Sequence, residues 1–372
     1  MRVVVVGGGI TGSLLSYFLA HHQVSIVLVE RSGIGNQASG QNPGGINPLH
    51  GPGIPGPMFD LAIRSHQLHR DISAEIAGLS GMDCQIQDIS RIEVALDDSD
   101  TTRLEAAFTL YNDTQGFAAR RLDRGELLAI EPRIGPEVSE ALLLQGNGIV
   151  DAHAYSVAAA EAARALGASL RDDNVTGLKR DSRRVTGVQL EHGQLDCDAL
   201  VLATGPWLAK AGDWLDMVIP VTPVKGQLLL VDLPGPALHH HLTRAAMGIY
   251  MLPDAQLMLG GTWEQAGFDT EPTQHGLNAI MDGVARIMPC VRDARPVRQM
   301  AALRPATPDG LPIIGRAPGW DNVFLASGGG AKGMLLSAGM AESVAAMIAG
   351  NAPALNLTPF RPDRFGWRSR LT

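Results

Sequence analysis

Gly7, Gly9 and Gly12 stand in the order G-x-G-x-x-G, and an acid, Glu30, follows. At that spacing these residue types bind the pyrophosphate and ribose of a dinucleotide. One glycine allows a tight turn, one lets the backbone approach a pyrophosphate, and one lets a helix pack closely on a strand. A helix that begins there offers free N–H groups and a partial positive charge to the phosphates. Glu30 is placed to accept the ribose hydroxyls of the adenosine half. Two further glycine turns, Thr204-Gly205-Pro206-Trp207 and Ser327-Gly328-Gly329-Gly330, each close a strand-like run. Ligands of open α/β sheets sit at such carboxyl ends.

The elements around the first motif suit that work. Residues 3–6 are an unbroken valine run, as in a strand buried on both faces. The helix that follows places Ile10, Leu14, Leu15, Phe18 and Leu19 on one face. A second strand over 24–29 ends on Glu30. A glycine-rich turn without a ligand would need none of this register.

At 372 residues the chain is too long for one ordinary core, so two domains are expected. Thirty basic against 38 acidic residues give a net charge of −8, with no basic run beyond paired arginines, which argues against nucleic acid. Cys84, Cys197 and Cys290 lie far apart, show no metal spacing and read as plain thiols. Residues 3–20 resemble a signal peptide or short membrane span, but three glycines, Thr11, Ser13 and Ser16 interrupt them. The nucleotide-fold reading explains those residues better, so no transmembrane segment and a cytoplasmic location are expected.

Further along, residues 31–57 form a long loop rich in Gly, Asn, Pro and Ser, a length that usually marks function. A helix is expected over 58–78 and a charged one near 101–112. Asp151 caps an alanine-rich helix over 153–166, before strands at 168–171, 185–190 and 199–203. Residues 219–262 alternate like an antiparallel sheet, and Thr273 opens an amphipathic helix stopped by Pro289. The triplet His239-His240-His241 reads as a solvated loop. A strand at 323–326 leads into a helix over about 331–349.

This layout resembles the D-amino-acid oxidase-like flavoenzymes over nearly the whole chain, and most closely their glycine oxidase branch. The ordered motifs are VVVVGGGITG, ALVLATGPW, TPVKGQ, LGGTWEQAGFDTEPT, LRPATPDGLPIIG and NVFLASGGGAKGMLLSAG. The resemblance implies an α/β two-domain flavoenzyme. A Rossmann-like FAD-binding domain would take residues 1–80, 142–216 and 302–372, and a discontinuous antiparallel-sheet substrate domain 81–141 and 217–301. It places Ile10 and Thr11 at the pyrophosphate, and Glu30 and Arg31 at the ribose. Ala38, Ser39, Pro43, Gly44, Gly45 and Ile46 come to the phosphates and flavin, and Val175 to adenine. The segment Gly329, Gly330, Ala331, Lys332, Gly333, Met334 and Leu335 would aim helix N–H groups at the flavin's pyrimidine edge. Negative charge on the reduced ring is stabilised there.

Arg304 matches the arginine that grips the substrate carboxylate in that branch, and Tyr250 a tyrosine that donates to the same group. On residue type alone, Arg304 is equally an ion-pair partner and Tyr250 a core aromatic. A second arginine of the branch aligns with Ala331, so its contact is absent here or supplied by Lys332. That departure leaves room for a bulkier or N-substituted substrate. The loop Gln41-Asn42-Pro43-Gly44 holds no histidine or cysteine, so FAD is expected to be non-covalent, with His50 structural or at the entrance. No metal is expected. The implied activity is oxidation of a small amino acid, with O2 or another acceptor taking the electrons. Rivals are a dehydrogenase serving a quinone or partner protein, a tRNA-modifying oxidase, which the acidic balance disfavours, and an FAD-holding subunit of a larger complex. A homo-oligomer is not readable from these residues.

Overall fold

The computed structural model describes residues 1–366. Residues 367–372, the end of the expected FAD-binding segment, lie outside the described residues. The valine run forms the strand Arg2–Val6 inside a six-stranded sheet. Its order is Ile313–Arg316, Val323–Ser327, Ala199–Leu202, Arg2–Val6, Ser25–Glu30 and Ser169–Asp172. All neighbours are parallel except the first pair. Val3 and Val5 pack with the helices Ile10–Ala20, Ala152–Ala165 and Gly333–Ile348. Val4 and Val6 pack on the opposite side with Val175, Val185 and Val188 of a three-stranded antiparallel sheet. A strand covered on both faces needs no polar alternation, which is why the run is apolar throughout.

The second large sheet has nine strands. Its path runs Arg295–Ala306, Thr222–Asp232, Leu257–Gly260, Met247–Met251, His240–Arg244, Gln87–Ala95, Glu140–Ile149 and Gly45–Ile46, and Ala118–Leu122 pairs alongside. Period-two alternation sorts its residues. Leu229, Val231, Ile249 and Leu259 pack against Ile280 and Val284 of the helix Gln274–Ala285. Leu228, Tyr250, Met258 and Met300 form an apolar cluster apart from that core. Thr273 caps this helix as expected, its Oγ1 accepting from the Gly276 N–H at 3.1 Å.

Two expectations are corrected. The histidine triplet is not a solvated loop: His240 and His241 begin the strand His240–Arg244, paired in parallel with Gln87–Ala95. His241 is buried, its ring stands edge-on to Tyr250, and its Nε2 lies 3.1 Å from the Met251 carbonyl oxygen. No cluster of metal-ligating residues occurs among the described residues. The last long helix starts at Gly333, after a 3-10 turn over Gly330–Lys332, because Gly330 takes a φ of +53° that an α-helix does not allow. The helix expected over 58–78 runs Phe59–Ser80. No helix among the described residues is long and apolar enough to cross a membrane. Cys84 and Cys197 are buried free thiols, each pushed up to about 11 by burial.

His69 ties the helix Phe59–Ser80 to the first turn of Gly333–Ile348. Its Nε2 faces the Met334 and Leu335 carbonyl oxygens at 3.0 and 2.9 Å, so it carries the proton, and Nδ1 accepts from the Tyr155 hydroxyl. Burial lowers both His69 and His241 to about 4. The unfolded chain therefore binds more protons between about pH 6.5 and 4, and stability falls as pH drops through that window. The loss expected from these two groups is roughly a few kcal/mol. Thermal melts should show Tm falling from pH 6.5 to 4.5, before most carboxylates titrate; a flat profile there would contradict the assignment.

Candidate active site

A cavity of about 830 Å³ lies between the carboxyl ends of the parallel strands and the second sheet. That volume is within the range of sites for large ligands. At one end, Gly7, Gly9, Ile10 and Thr11 line it. Gly9 is the N-cap of the helix Ile10–Ala20 and offers no side chain to its N–H groups. Ser39, from the long loop, comes over this turn, its Oγ accepting from the Ile10 N–H at 3.0 Å. Ala38 and Pro43 line the same wall.

Glu30 also lines the cavity, at the end of Ser25–Glu30. One carboxylate oxygen accepts from the Gly8 N–H at 2.7 Å, and the other from the Arg31 and Ser32 N–H groups at 2.9 and 2.8 Å. The acid thus holds the glycine turn while remaining open to the cavity. Glu30→Ala leaves the Gly8 N–H without its partner, so nucleotide affinity should weaken by roughly 5- to 150-fold, the equivalent of an unmade bond of 1–3 kcal/mol. Turnover at saturating cofactor should stay near wild type; an equal loss of rate there would assign Glu30 another task.

Arg31 stacks its guanidinium 5.0 Å above the Trp207 ring, and Val175 and Gly205 lie on the same stretch of wall. Gly45, Gly329, Gly330, Ala331, Gly333 and Met334 also line the cavity. Four expected residues stand behind the wall. Gly12 abuts the Gly7 carbonyl, and Gly44, at φ +77°, abuts that of Val150, so neither has room for a side chain. Ile46 and Leu335 belong to the apolar core.

Two buried polar atoms of residues that line the cavity, Thr204 Oγ1 and Asn47 Oδ1, have no hydrogen-bond partner among the described residues. Such groups are seldom left unpaired. With the helix N-terminus, whose N-cap residue Gly9 has no side chain, and the Glu30 carboxylate, they suit a ligand rich in hydroxyl, amide and phosphate groups, as FAD is.

Arg304 and Tyr250 meet on the second sheet. Arg304 follows Met300 and Ala302 at period two, and all three point to the side opposite the helix-packed core. The Arg304 guanidinium donates to the Thr262 carbonyl oxygen at 2.9 Å and lies 5.1 Å from the Trp263 ring centre. Among the described residues no carboxylate forms an ion pair with it; burial lowers its proton affinity, while Tyr250 and Glu264 act in the opposite direction. Gly226 makes space, since a Cβ there would enter the guanidinium. The Tyr250 hydroxyl makes no hydrogen bond to the described residues, and Arg304 and Arg91 both act on it electrostatically. Gly226 and Trp263 escaped the sequence reading, although both fall in quoted motifs, TPVKGQ and LGGTWEQAGFDTEPT.

Lys332 donates from Nζ to the Asn47 carbonyl oxygen at 2.8 Å. Burial, with Arg91 adding repulsion, lowers its amine to about 7. Arg91 is paired with Glu93 and bonded to Thr243 and His50, and its charge, with burial, keeps the His50 ring neutral.

The family model of FAD dependent oxidoreductases matches residues 2–347. Glycine oxidase of Pseudomonas aeruginosa is 29% identical, over 97% of this chain and 98% of that one. A hydrogen cyanide synthase subunit of Pseudomonas protegens is 28% identical, over 98% and 96%. The crystal structure of glycine oxidase from Geobacillus kaustophilus superposes with a TM-score of 0.92 at 27% identity, over 98% and 99% of the two chains.

Proposed function

The chain belongs to the family of FAD dependent oxidoreductases, and from that premise we propose that it oxidises a small amino acid at the bond between Cα and nitrogen. It is an FAD-dependent amino-acid oxidoreductase. The observation that carries the substrate reading is Arg304, a buried cation that lines the cavity and forms no ion pair among the described residues. Isolated buried charges are costly, and a bound carboxylate supplies what is missing. The guanidinium fork matches a carboxylate with two parallel bonds, and the free Tyr250 hydroxyl adds a donor to the same group.

FAD, when bound, supplies the two-electron oxidation. The chain's part is positioning: Arg304 and Tyr250 hold one end of the substrate, which limits the poses open to its Cα–H bond. An amine that enters neutral needs no side-chain base, and water hydrolyses the imine to an oxo acid and ammonia or an amine. Glycine, N-methylglycine and D-amino acids are the proposed substrates, with O2 as acceptor and hydrogen peroxide as product, in the cytoplasm. The likeness to a hydrogen cyanide synthase subunit favours a second reading, in which a partner takes the electrons.

The test is anaerobic bleaching of the flavin by glycine, N-methylglycine, D-amino acids and 2-hydroxy acids, followed by mixing the reduced protein with oxygen. Bleaching by amino acids and rapid re-oxidation are expected. Reduction only by hydroxy acids would overturn the substrate class, and slow re-oxidation would favour the partner reading.

A further inference from the structure

The motif TPVKGQ places Lys225, Gly226 and Gln227 in the strand Thr222–Asp232. Alternation puts Gly226 on the cavity side, under the Arg304 guanidinium, and turns Lys225 and Gln227 to the other face. Lys225 is a cation only 1% exposed. A charge so deeply buried is costly unless it is paired.

Its partners lie on residues 261–273, which join the strand Leu257–Gly260 to the helix Gln274–Ala285 with no helix or strand of their own. Lys225 Nζ donates to the Asp269 carboxylate at 2.7 Å and to the Glu271 carbonyl oxygen. Its backbone N–H and carbonyl exchange two bonds of 2.9 Å with those of Glu264. Gln227 fixes the two ends of the segment. Its backbone N–H donates to Thr262 Oγ1, and its side-chain amide to Thr273 Oγ1, each at 2.9 Å. Two contacts on the Arg304 guanidinium come from this same segment, the Thr262 carbonyl oxygen at 2.9 Å and the Trp263 ring.

We infer that Lys225 is a positioning residue for the substrate carboxylate: by pinning residues 264–271 to the sheet, it holds the Thr262 carbonyl and the Trp263 ring where they aim the Arg304 fork. The inference rests on the carboxylate reading of Arg304 given above. A guanidinium makes two parallel bonds only when its plane is aligned with the carboxylate. A misplacement of about 1 Å can cost on the order of a hundredfold in rate. Lys225 lies on the face away from the cavity, so its loss is felt through Arg304. The pair is also asymmetric. Asp269 is 49% exposed and stays hydrated without its partner, so Lys225→Met leaves no buried charge behind. Gln227 and the backbone bonds of Glu264 keep the segment on the sheet, so the expected change is a displaced Arg304 in a folded protein.

The test compares holoenzymes of the wild type, Lys225→Met, Arg304→Ala and the double variant by anaerobic flavin reduction with the best amino acid. Lys225→Met should lower kcat/KM by about 10- to 100-fold at full FAD content. In the Arg304→Ala background the same change should cost less than about threefold, because two residues that act through one group are not additive. Lys225→Arg, which keeps a donating cation, should recover part of the loss. An equal cost in both backgrounds would make Lys225 merely structural and overturn the inference, as would an unchanged kcat/KM for Lys225→Met. If Lys225→Met does not fold, Asp269→Ala frees the same part of the segment and is held to the same two outcomes. Acetate, a carboxylate with no oxidisable amine, reads binding separately through the flavin difference spectrum. Its Kd should rise in both Lys225→Met and Arg304→Ala. A rise in Arg304→Ala alone would overturn this inference and leave the carboxylate reading standing. A Kd unchanged in Arg304→Ala, or a flavin that no amino acid bleaches, would overturn both.

Discussion

Arg304→Ala is expected to cut kcat/KM for amino-acid substrates by roughly 30- to several-thousand-fold, the equivalent of 2–5 kcal/mol for removing one partner of a desolvated charge pair. The resting flavin spectrum should barely change, because the guanidinium is held by the Thr262 carbonyl and the Trp263 ring on the second sheet. Arg304→Lys keeps the charge and loses the fork, so most of the penalty should remain. Gly226→Ala reaches the same group by another route. Its methyl would enter the space of the guanidinium, which must swing away with its charge intact. A raised KM with normal FAD content is the expected signature. If Arg304→Ala oxidises its best amino acid at near wild-type efficiency, the carboxylate is bound elsewhere.

The first βαβ unit was legible because its signals are local. A valine run, three glycines and an acid follow one another, and each has one geometry that satisfies it. The capped helices after Asp151 and Thr273 were legible for the same reason. The substrate end was not. Arg304 and Tyr250 come together only because Arg295–Ala306 pairs with Thr222–Asp232, that strand with Leu257–Gly260, and that one with Met247–Met251. Alternation assigns each residue a face, but it does not say which strands are neighbours. The resemblance supplied the pairing that the pattern lacked. His241 shows the opposite failure: three histidines suggest a polar loop, yet Leu242 and Thr243 continue a strand with His241 buried beside Tyr250. Lys332 was named as a substitute for a missing arginine, and its place beside Asn47 and Arg91 depends on contacts far away in sequence.

Gly12→Val should yield protein without yellow colour. A Cβ on Gly12 would fall on the Gly7 carbonyl oxygen and press on the Ala203 side chain. The first of these is backbone in the turn itself, so relief requires the helix Ile10–Ala20 to lift from the strand Arg2–Val6. Overpacking of this kind costs about 1–3 kcal/mol, and more when backbone must part. The same movement takes the helix N-terminus away from the pyrophosphate, so cofactor binding is lost along with packing. Gly9→Ala is milder, since its methyl meets the Ser39 hydroxyl, a side chain able to rotate; it should weaken FAD retention without abolishing it. Gly78→Ala is the control. That glycine lies exposed in the helix Phe59–Ser80 with nothing near its Cβ, so the change should raise stability by about 0.5–1 kcal/mol and leave the colour intact. Flavin content per chain, read from absorbance after purification without added FAD, separates the three. Gly12→Val protein that folds and keeps a full complement of FAD would place the dinucleotide away from the glycine turn.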